Sequence, residues 1–158
     1  MIETPEDQDP MAWHRYFAVE ANNVCWDLTT NLDRTQVDNQ RMLDAAHTAF
    51  FHWSACGSEQ NVQRARMLLA EVHTLLGLGE SALEYASEMH EFFLSTETPD
   101  WEVAFAHCIL AHAAHVAADM ATYNKSYGDA VAALAAISDP EDKKIVQLTF
   151  DLVPRPSA

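Results

Sequence analysis

The sequence predicts an all-α protein, and three observations carry that prediction. Apolar residues recur at helical spacing along the chain, as in the stripe of Val62, Ala65, Leu69, Val72 and Leu76. Only four glycines and six prolines interrupt the 158 residues, and no run of alternating β-branched residues indicates a strand. A pattern of helix starts also returns at a fixed spacing. We expect about seven helices, arranged as stacked antiparallel hairpins with a C-terminal capping helix.

The chain is predicted to form one domain over residues 11–153, between an acidic, disordered tail at 1–10 and a short tail at 154–158. The N-terminal segment has neither the basic residues nor the apolar run of a signal peptide. No stretch reaches the roughly 18 uncharged apolar residues that a membrane span requires. We therefore expect a cytoplasmic protein without a membrane partner.

The first hairpin is predicted to consist of helices at about residues 11–31 and 35–55. The second helix turns Phe51 outward, beside His47, and its expected inner face consists of Met42, Ala46, Ala49, Phe50 and Trp53. Two alternatives stay open for Phe51: contact with a partner or a second copy of the chain, or docking of the first helix over it. The inner face expected for the first helix consists of Trp13, Phe17, Ala21, Val24 and Leu28.

Helix starts then recur every 41 residues, at Ser58, Pro99 and Pro140. Ser58 is a predicted N-cap, whereas Thr98 and Asp139 place a capping oxygen before a proline at the first helical position. The second hairpin turns back at Gly77 and Gly79, which are predicted to adopt positive φ angles. The inner face of its second helix is expected to carry Ala82, Ala86, Met89 and Phe93.

The last three helices are expected at residues 100–118, 120–137 and 140–152. The helix at 100–118 is apolar nearly all the way round, which predicts either the most central helix or one side of a homodimer interface. The final helix presents Ile145, Leu148 and Leu152 and is expected to cap the open end of the stack.

Small and apolar residues recur at fixed offsets in the second hairpin: Leu69, Ala70, Gly77, Ala82 and Met89. This spacing resembles the signature of a tetratricopeptide repeat, in which small residues let two helices approach closely. A second copy has Tyr123 where the family has alanine, His73 stands where an aromatic residue is usual, and 41 residues exceed the usual spacing of about 34. The resemblance implies a superhelix whose concave surface, lined by the first helix of each hairpin, binds a partner. The implied contacts are Arg15, Asn22, Arg66, His73, His107 and Ala114.

The formal net charge is −15, and no lysine or arginine lies between Arg66 and Lys125, where nine acidic residues are found. Such a surface disfavours nucleic acid, because a phosphate backbone selects for basic surfaces. It favours a basic protein or peptide partner. The alternative is that the acidic residues only keep the protein dispersed.

Histidine is the one residue type whose pattern suggests chemistry. Eight histidines are present, and the i, i+3 spacing of His112 and His115 can present two imidazoles to one metal ion. The alternative is that each histidine is a part-buried, hydrogen-bonded structural residue. No Glu-x-x-His or His-Glu-x-x-His motif occurs, and neither does a nucleophile motif or a phosphate-binding loop.

The sequence therefore predicts a non-catalytic protein-interaction module or small regulatory scaffold that requires no cofactor. Its predicted partner contacts are Arg66, His73, His107, Phe51 and His47. The alternative is a protein or enzyme that uses a divalent metal at His112 and His115.

Overall fold

The structure is a computed structural model, and it describes residues 9–156. No β-strand occurs in this part of the chain, and the all-α prediction is confirmed. Residues 1–8 of the predicted N-terminal tail lie outside the described residues. The helices are α1 (Pro10–Thr29), α2 (Gln36–Cys56), α3 (Glu59–Leu75), α4 (Gly79–Ser95), α5 (Asp100–Val116), α6 (Met120–Ala136) and α7 (Pro140–Phe150).

The helices pack as three antiparallel hairpins in sequence order, α1 with α2, α3 with α4 and α5 with α6. The first helix of each hairpin also contacts the first helix of the following hairpin, and α5 contacts the terminal α7. The helices α1, α3, α5 and α7 therefore lie side by side. This stacking of hairpins is compatible with a helical repeat. It places the odd-numbered helices along one surface of the molecule.

The 41-residue repeat is visible at the helix ends. Ser58 caps α3 and Asp139 caps α7, each by accepting backbone N–H groups of the first turn. At the C-terminal ends of α3 and α5, Gly77 and Ala118 are equivalent and have φ angles of 74° and 60°. The next amide along the chain donates back to the carbonyl five residues earlier, at 2.8 and 2.9 Å. Both helices therefore end in the same left-handed cap.

Two expectations about helix ends were wrong. Thr98 does not cap α5, because Pro99 itself occupies the N-cap position and its side chain has no acceptor for the first turn. Gly77 has a positive φ angle, as predicted, but Gly79 does not. Gly79 is needed for space instead: a Cβ there would lie 2.8 Å from both the Ala117 Cα and the Val116 carbonyl oxygen.

Replacement of Gly79 by alanine should therefore destabilise the protein. The expected loss is about 2 kcal/mol, because the added methyl group meets backbone atoms that have no room to move. Gly128 provides a matched control, since nothing lies within 4 Å of a Cβ at this position in the middle of α6. Gly128→Ala should gain about 1 kcal/mol from helix propensity. Urea unfolding of both variants measures the difference, and effects of the same sign would contradict this interpretation.

Helix α5 is central within one chain, which is the first of the two alternatives predicted for it. Glu102 and residues 104–114 are all buried, and α5 packs against α3, α4, α6 and α7. The apolar faces of this helix are therefore covered inside the monomer. A homodimer formed through α5 is not needed to bury them.

The buried faces of the first and last helices differ from the expected ones. In α1 the buried residues are Ala18, Cys25 and Thr29, and Phe17 is 44% exposed. In α7 they are Val146 and Thr149, whereas Ile145 and Leu148 are 56% and 58% exposed. Both helices lie at an end of the stack and pack on one side only, so one apolar stripe of each stays unburied. In α2, Met42, Ala46 and Ala49 are buried and Phe51 is 65% exposed, as predicted, whereas Phe50 and Trp53 are only partly buried.

None of the helices described is both long enough and apolar enough to cross a membrane.

Candidate functional site

A cavity of about 620 Å³ lies between the side-by-side helices α1, α3, α5 and α7. We call it the concave groove. Its interior is largely aromatic and apolar, with Trp26 from α1, Met67 from α3, and Trp101 and Phe105 from α5. The Trp26 and Phe105 rings meet edge to face, with centroids 5.7 Å apart and an interplanar angle of 85°.

Exposed apolar side chains surround the mouth of the concave groove. Ile145 and Leu148 of α7 line it, together with Leu32, which is 77% exposed. The apolar stripe that α7 leaves unburied therefore faces this cavity. Water-exposed apolar area at a concave surface favours the binding of a ligand.

One carboxylate in the concave groove is neutralised by an ion pair. The Glu102 side chain is 1% exposed, and it accepts hydrogen bonds from Arg64 Nε at 2.6 Å and Arg64 Nη2 at 3.1 Å. Gln60 Nε2 adds a third bond at 3.3 Å. This fork-shaped contact joins the starts of α3 and α5. It also raises the pKa of the Arg64 guanidinium, mainly through its hydrogen bonds to Glu102.

The second carboxyl group, on Glu71, has no such partner. Glu71 lines the same cavity, is 1% exposed, and its Oε2 has no hydrogen-bond partner among the described residues. The positive charge of Arg34 acts on it, but this guanidinium donates to the carbonyls of Leu28, Thr29 and Asn31 at the end of α1. A buried polar atom without a partner costs about 1–3 kcal/mol.

Burial raises the pKa of Glu71 from 4.5 to about 7, and Arg34 only partly opposes this shift. The buried thiols of Cys25 and Cys108 feel the Glu71 charge from α1 and α5, and burial raises the pKa of each to about 12. Near neutral pH, Glu71 is therefore divided between its neutral and charged forms. Carboxyl groups with pKa values near 7 are concentrated at functional sites.

The structure separates most of the predicted contact residues from the concave groove. Of the six residues that the resemblance implied, only Asn22 lines it. Arg66 points toward α2 and α4, where it pairs with Glu88 at 2.9 Å and lies over the Phe50 ring. Arg64 and Arg66 are two residues apart on α3, which corresponds to a rotation of about 200° around the helix axis. Arg64 therefore faces the groove, whereas Arg66 faces away from it.

The predicted histidines form pairs between helices. His73 Nε2 lies 3.4 Å from His47 Nε2, and His73 Nδ1 lies 2.6 Å from the Ser81 hydroxyl. His107 Nδ1 lies 3.0 Å from His90 Nε2. Burial lowers the pKa of His90 to about 4 and also lowers that of His73. Phe51 lies on another surface, with its ring 6.2 Å from the His14 ring on α1.

His112 and His115 do lie close together, as the metal-binding alternative requires. Burial, with a contribution from His115, lowers the pKa of His112 to about 4. His112 Nδ1 is buried without a hydrogen-bond partner, and the His115 ring packs on Tyr123. Between residues 9 and 156, however, no three histidine, cysteine or carboxylate side chains converge as a metal site would need.

Comparisons with protein-family models, with curated proteins and with solved structures each returned no significant match. The role of the concave groove is therefore argued from its own chemistry.

Glu71, Glu102 and Arg64 were not among the functional residues predicted from the sequence. One signal was present, since Glu71 is the only acidic residue between Glu59 and Glu80, inside an otherwise apolar run. A lone carboxylate in a buried helix segment indicates either an ion pair or a binding site. Glu102 gave no such signal, because acidic residues are common in the first turn of a helix.

Proposed function

We propose that this chain is a non-catalytic binding module of tetratricopeptide-like architecture, and that its concave groove holds a small, largely apolar organic molecule. The cavity carries the proposal, because about 620 Å³ of aromatic and apolar space contains a buried carboxyl group without a partner. Sites for small molecules typically measure about 300–1,000 Å³ and combine apolar walls with a few polar groups. The protein-partner role predicted from the sequence stays a separate proposal for other surfaces, such as that of Phe51.

A neutral fluorescent probe, N-phenyl-1-naphthylamine, tests the proposal. Its emission rises in apolar surroundings, and Trp26 and Trp101 in the groove wall can transfer energy to it. We expect saturable binding that Leu148→Asp weakens by about tenfold, since losing the contact of one leucine side chain costs roughly 1.5–3 kcal/mol.

Val131→Asp is the matched control. Val131 is 47% exposed on α6 and does not line the concave groove, so this variant should bind the probe as the native chain does. Absence of saturable binding, or equal weakening by both variants, would overturn the proposed function. Circular dichroism of both variants verifies that they fold.

A further inference from the structure

We infer that the molecule held in the concave groove is an organic amine, whose ammonium group takes Glu71 as its counter-ion. This inference rests on the proposed function and specifies the class of ligand. It follows from three features of the groove: its unpartnered carboxyl group, its aromatic walls and its charge.

The first feature is the difference between the two buried carboxyl groups, since the third, on Asp151, is exposed. Glu102 is fully satisfied by Arg64 and Gln60, so it offers a ligand no free charge. Glu71 is equally buried, but its Oε2 is unpartnered, and the Arg34 guanidinium, whose charge acts on it, is bonded to backbone carbonyls. A donor on the ligand would satisfy this oxygen. A charged donor would gain most, because hydrogen bonds between ionised groups are about twice as strong as neutral ones.

The second feature is the aromatic wall. Trp26 and Phe105 present two nearly perpendicular rings, and Trp101 is a third aromatic lining residue. Aromatic faces attract cations, and tryptophan does so most strongly. The same rings provide apolar contact for the carbon skeleton of the ligand. Aromatic rings beside a carboxylate favour ammonium groups over neutral hydroxyl groups.

The third feature is charge. The chain carries a formal net charge of −15, which raises the local concentration of cations and lowers that of anions. An anionic ligand would also bring its charge beside Glu71. Fatty acids, phosphates and other anions are therefore the wrong class for this groove.

Binding of the amine includes a proton exchange. The ammonium group enters already protonated, since alkylamines have pKa values of about 10. The ion pair forms with the Glu71 carboxylate, so any proton on Glu71 leaves for solvent. Because the pKa of Glu71 is about 7 in the empty protein, amine affinity should rise about tenfold per pH unit up to neutral pH and then level off. The other charged or titratable groups around this carboxyl group or in the lining of the groove are Arg34, Arg64, Glu102, Asp151 and the thiols of Cys25 and Cys108.

Three probes of one shape test the inference: 4-phenylbutylamine, 4-phenylbutan-1-ol and 4-phenylbutanoate. Titration calorimetry at about pH 8 should show the amine binding at least about tenfold more tightly than the alcohol, and the carboxylate most weakly. At about pH 6, in two buffers of different ionisation enthalpy, the amine should release close to one proton and the alcohol none.

Glu71→Gln is the deciding variant, because it keeps the shape of the side chain and removes its charge. It should bind the amine and the alcohol equally, whereas Glu84→Gln, which makes the same charge change at an exposed site on α4, should keep the preference for the amine. Equal binding of amine and alcohol by the native chain would overturn the inference and leave the proposed function standing. Failure of all three probes and of the neutral dye would overturn both.

Discussion

Replacement of Arg64 by methionine should lower the free energy of unfolding by about 3 kcal/mol. The substitution leaves the Glu102 carboxylate, which is 1% exposed, without its charged partner between α3 and α5. Removing one partner of a buried ion pair costs about 3–5 kcal/mol, mainly because the remaining charge is buried and uncompensated. We take the lower end because the Arg64 side chain is 43% exposed, so water can reach this site. Urea unfolding followed by far-UV circular dichroism measures the loss.

Two further variants make this test specific. In the double variant with Glu102→Gln, most of the loss should be recovered, because no charge stays buried. Lys125→Met breaks an exposed pair with Asp129, whose side chains are 77% and 39% exposed. Its effect should stay below about 1 kcal/mol. If Arg64→Met costs no more than Lys125→Met, the ion pair does not join α3 to α5 as described.

Replacement of Glu71 by glutamine should stabilise the protein at alkaline pH and have little effect in acid. The folded-state pKa of about 7 lies above the unfolded value of about 4.5, so the folded chain binds the extra proton in this window. The contribution of Glu71 to the free energy of unfolding is fully present below pH 4.5 and is lost as the pH rises through 7. Glu71→Gln has no carboxyl group to titrate at this position, so it does not lose stability in this way. We expect it to be more stable than the native chain by up to about 3 kcal/mol near pH 8.5.

The difference between the two chains isolates Glu71 from the other titrating groups. Burial lowers the pKa values of His90 and His112 to about 4 and also lowers those of His52, His73 and His107. These shifts destabilise both chains below pH 6.5 and cancel in the comparison. Glu84→Gln makes the same charge change at an exposed site on α4 and is the control for the loss of one negative charge. If the difference in stability between Glu71→Gln and the native chain does not change with pH, the Glu71 carboxyl group is not desolvated.

The desolvation of Glu71 links the stability of the protein to the binding of a ligand. A buried carboxyl group without a partner lowers the stability of the empty protein, and residues of this kind are retained where they act on a ligand. A bound amine would remove the penalty and should therefore raise the midpoint of thermal unfolding of the native chain. The two roles of Glu71 share one physical cause, which is its desolvation between α1, α3 and α5.

The sequence by itself determined the local structure of this protein. Capping residues such as Ser58 and Asp139, the left-handed cap at Gly77 and the spacing of 41 residues depend on neighbours along the chain. Helical periodicity and those caps were enough for the number and bounds of the helices. The apolar composition of α5 limited it to two places, the centre of the bundle or one side of a homodimer interface, because a helix that is apolar all round must be covered on every side.

Only the tertiary structure decided which helix faces meet and where a cavity is left. Helix α3 is buried along almost all of residues 67–74, so its periodicity does not distinguish the side that faces α4 from the side that faces the concave groove. Arg64 and Arg66 therefore could not be told apart by pattern, although one holds Glu102 and the other pairs with Glu88. The groove forms because α1 and α7, at opposite ends of the stack, pack on one side only and leave apolar side chains facing a shared space. That arrangement brings residues more than 100 positions apart, such as Trp26 and Leu148, to the lining of one cavity, and no local pattern records it.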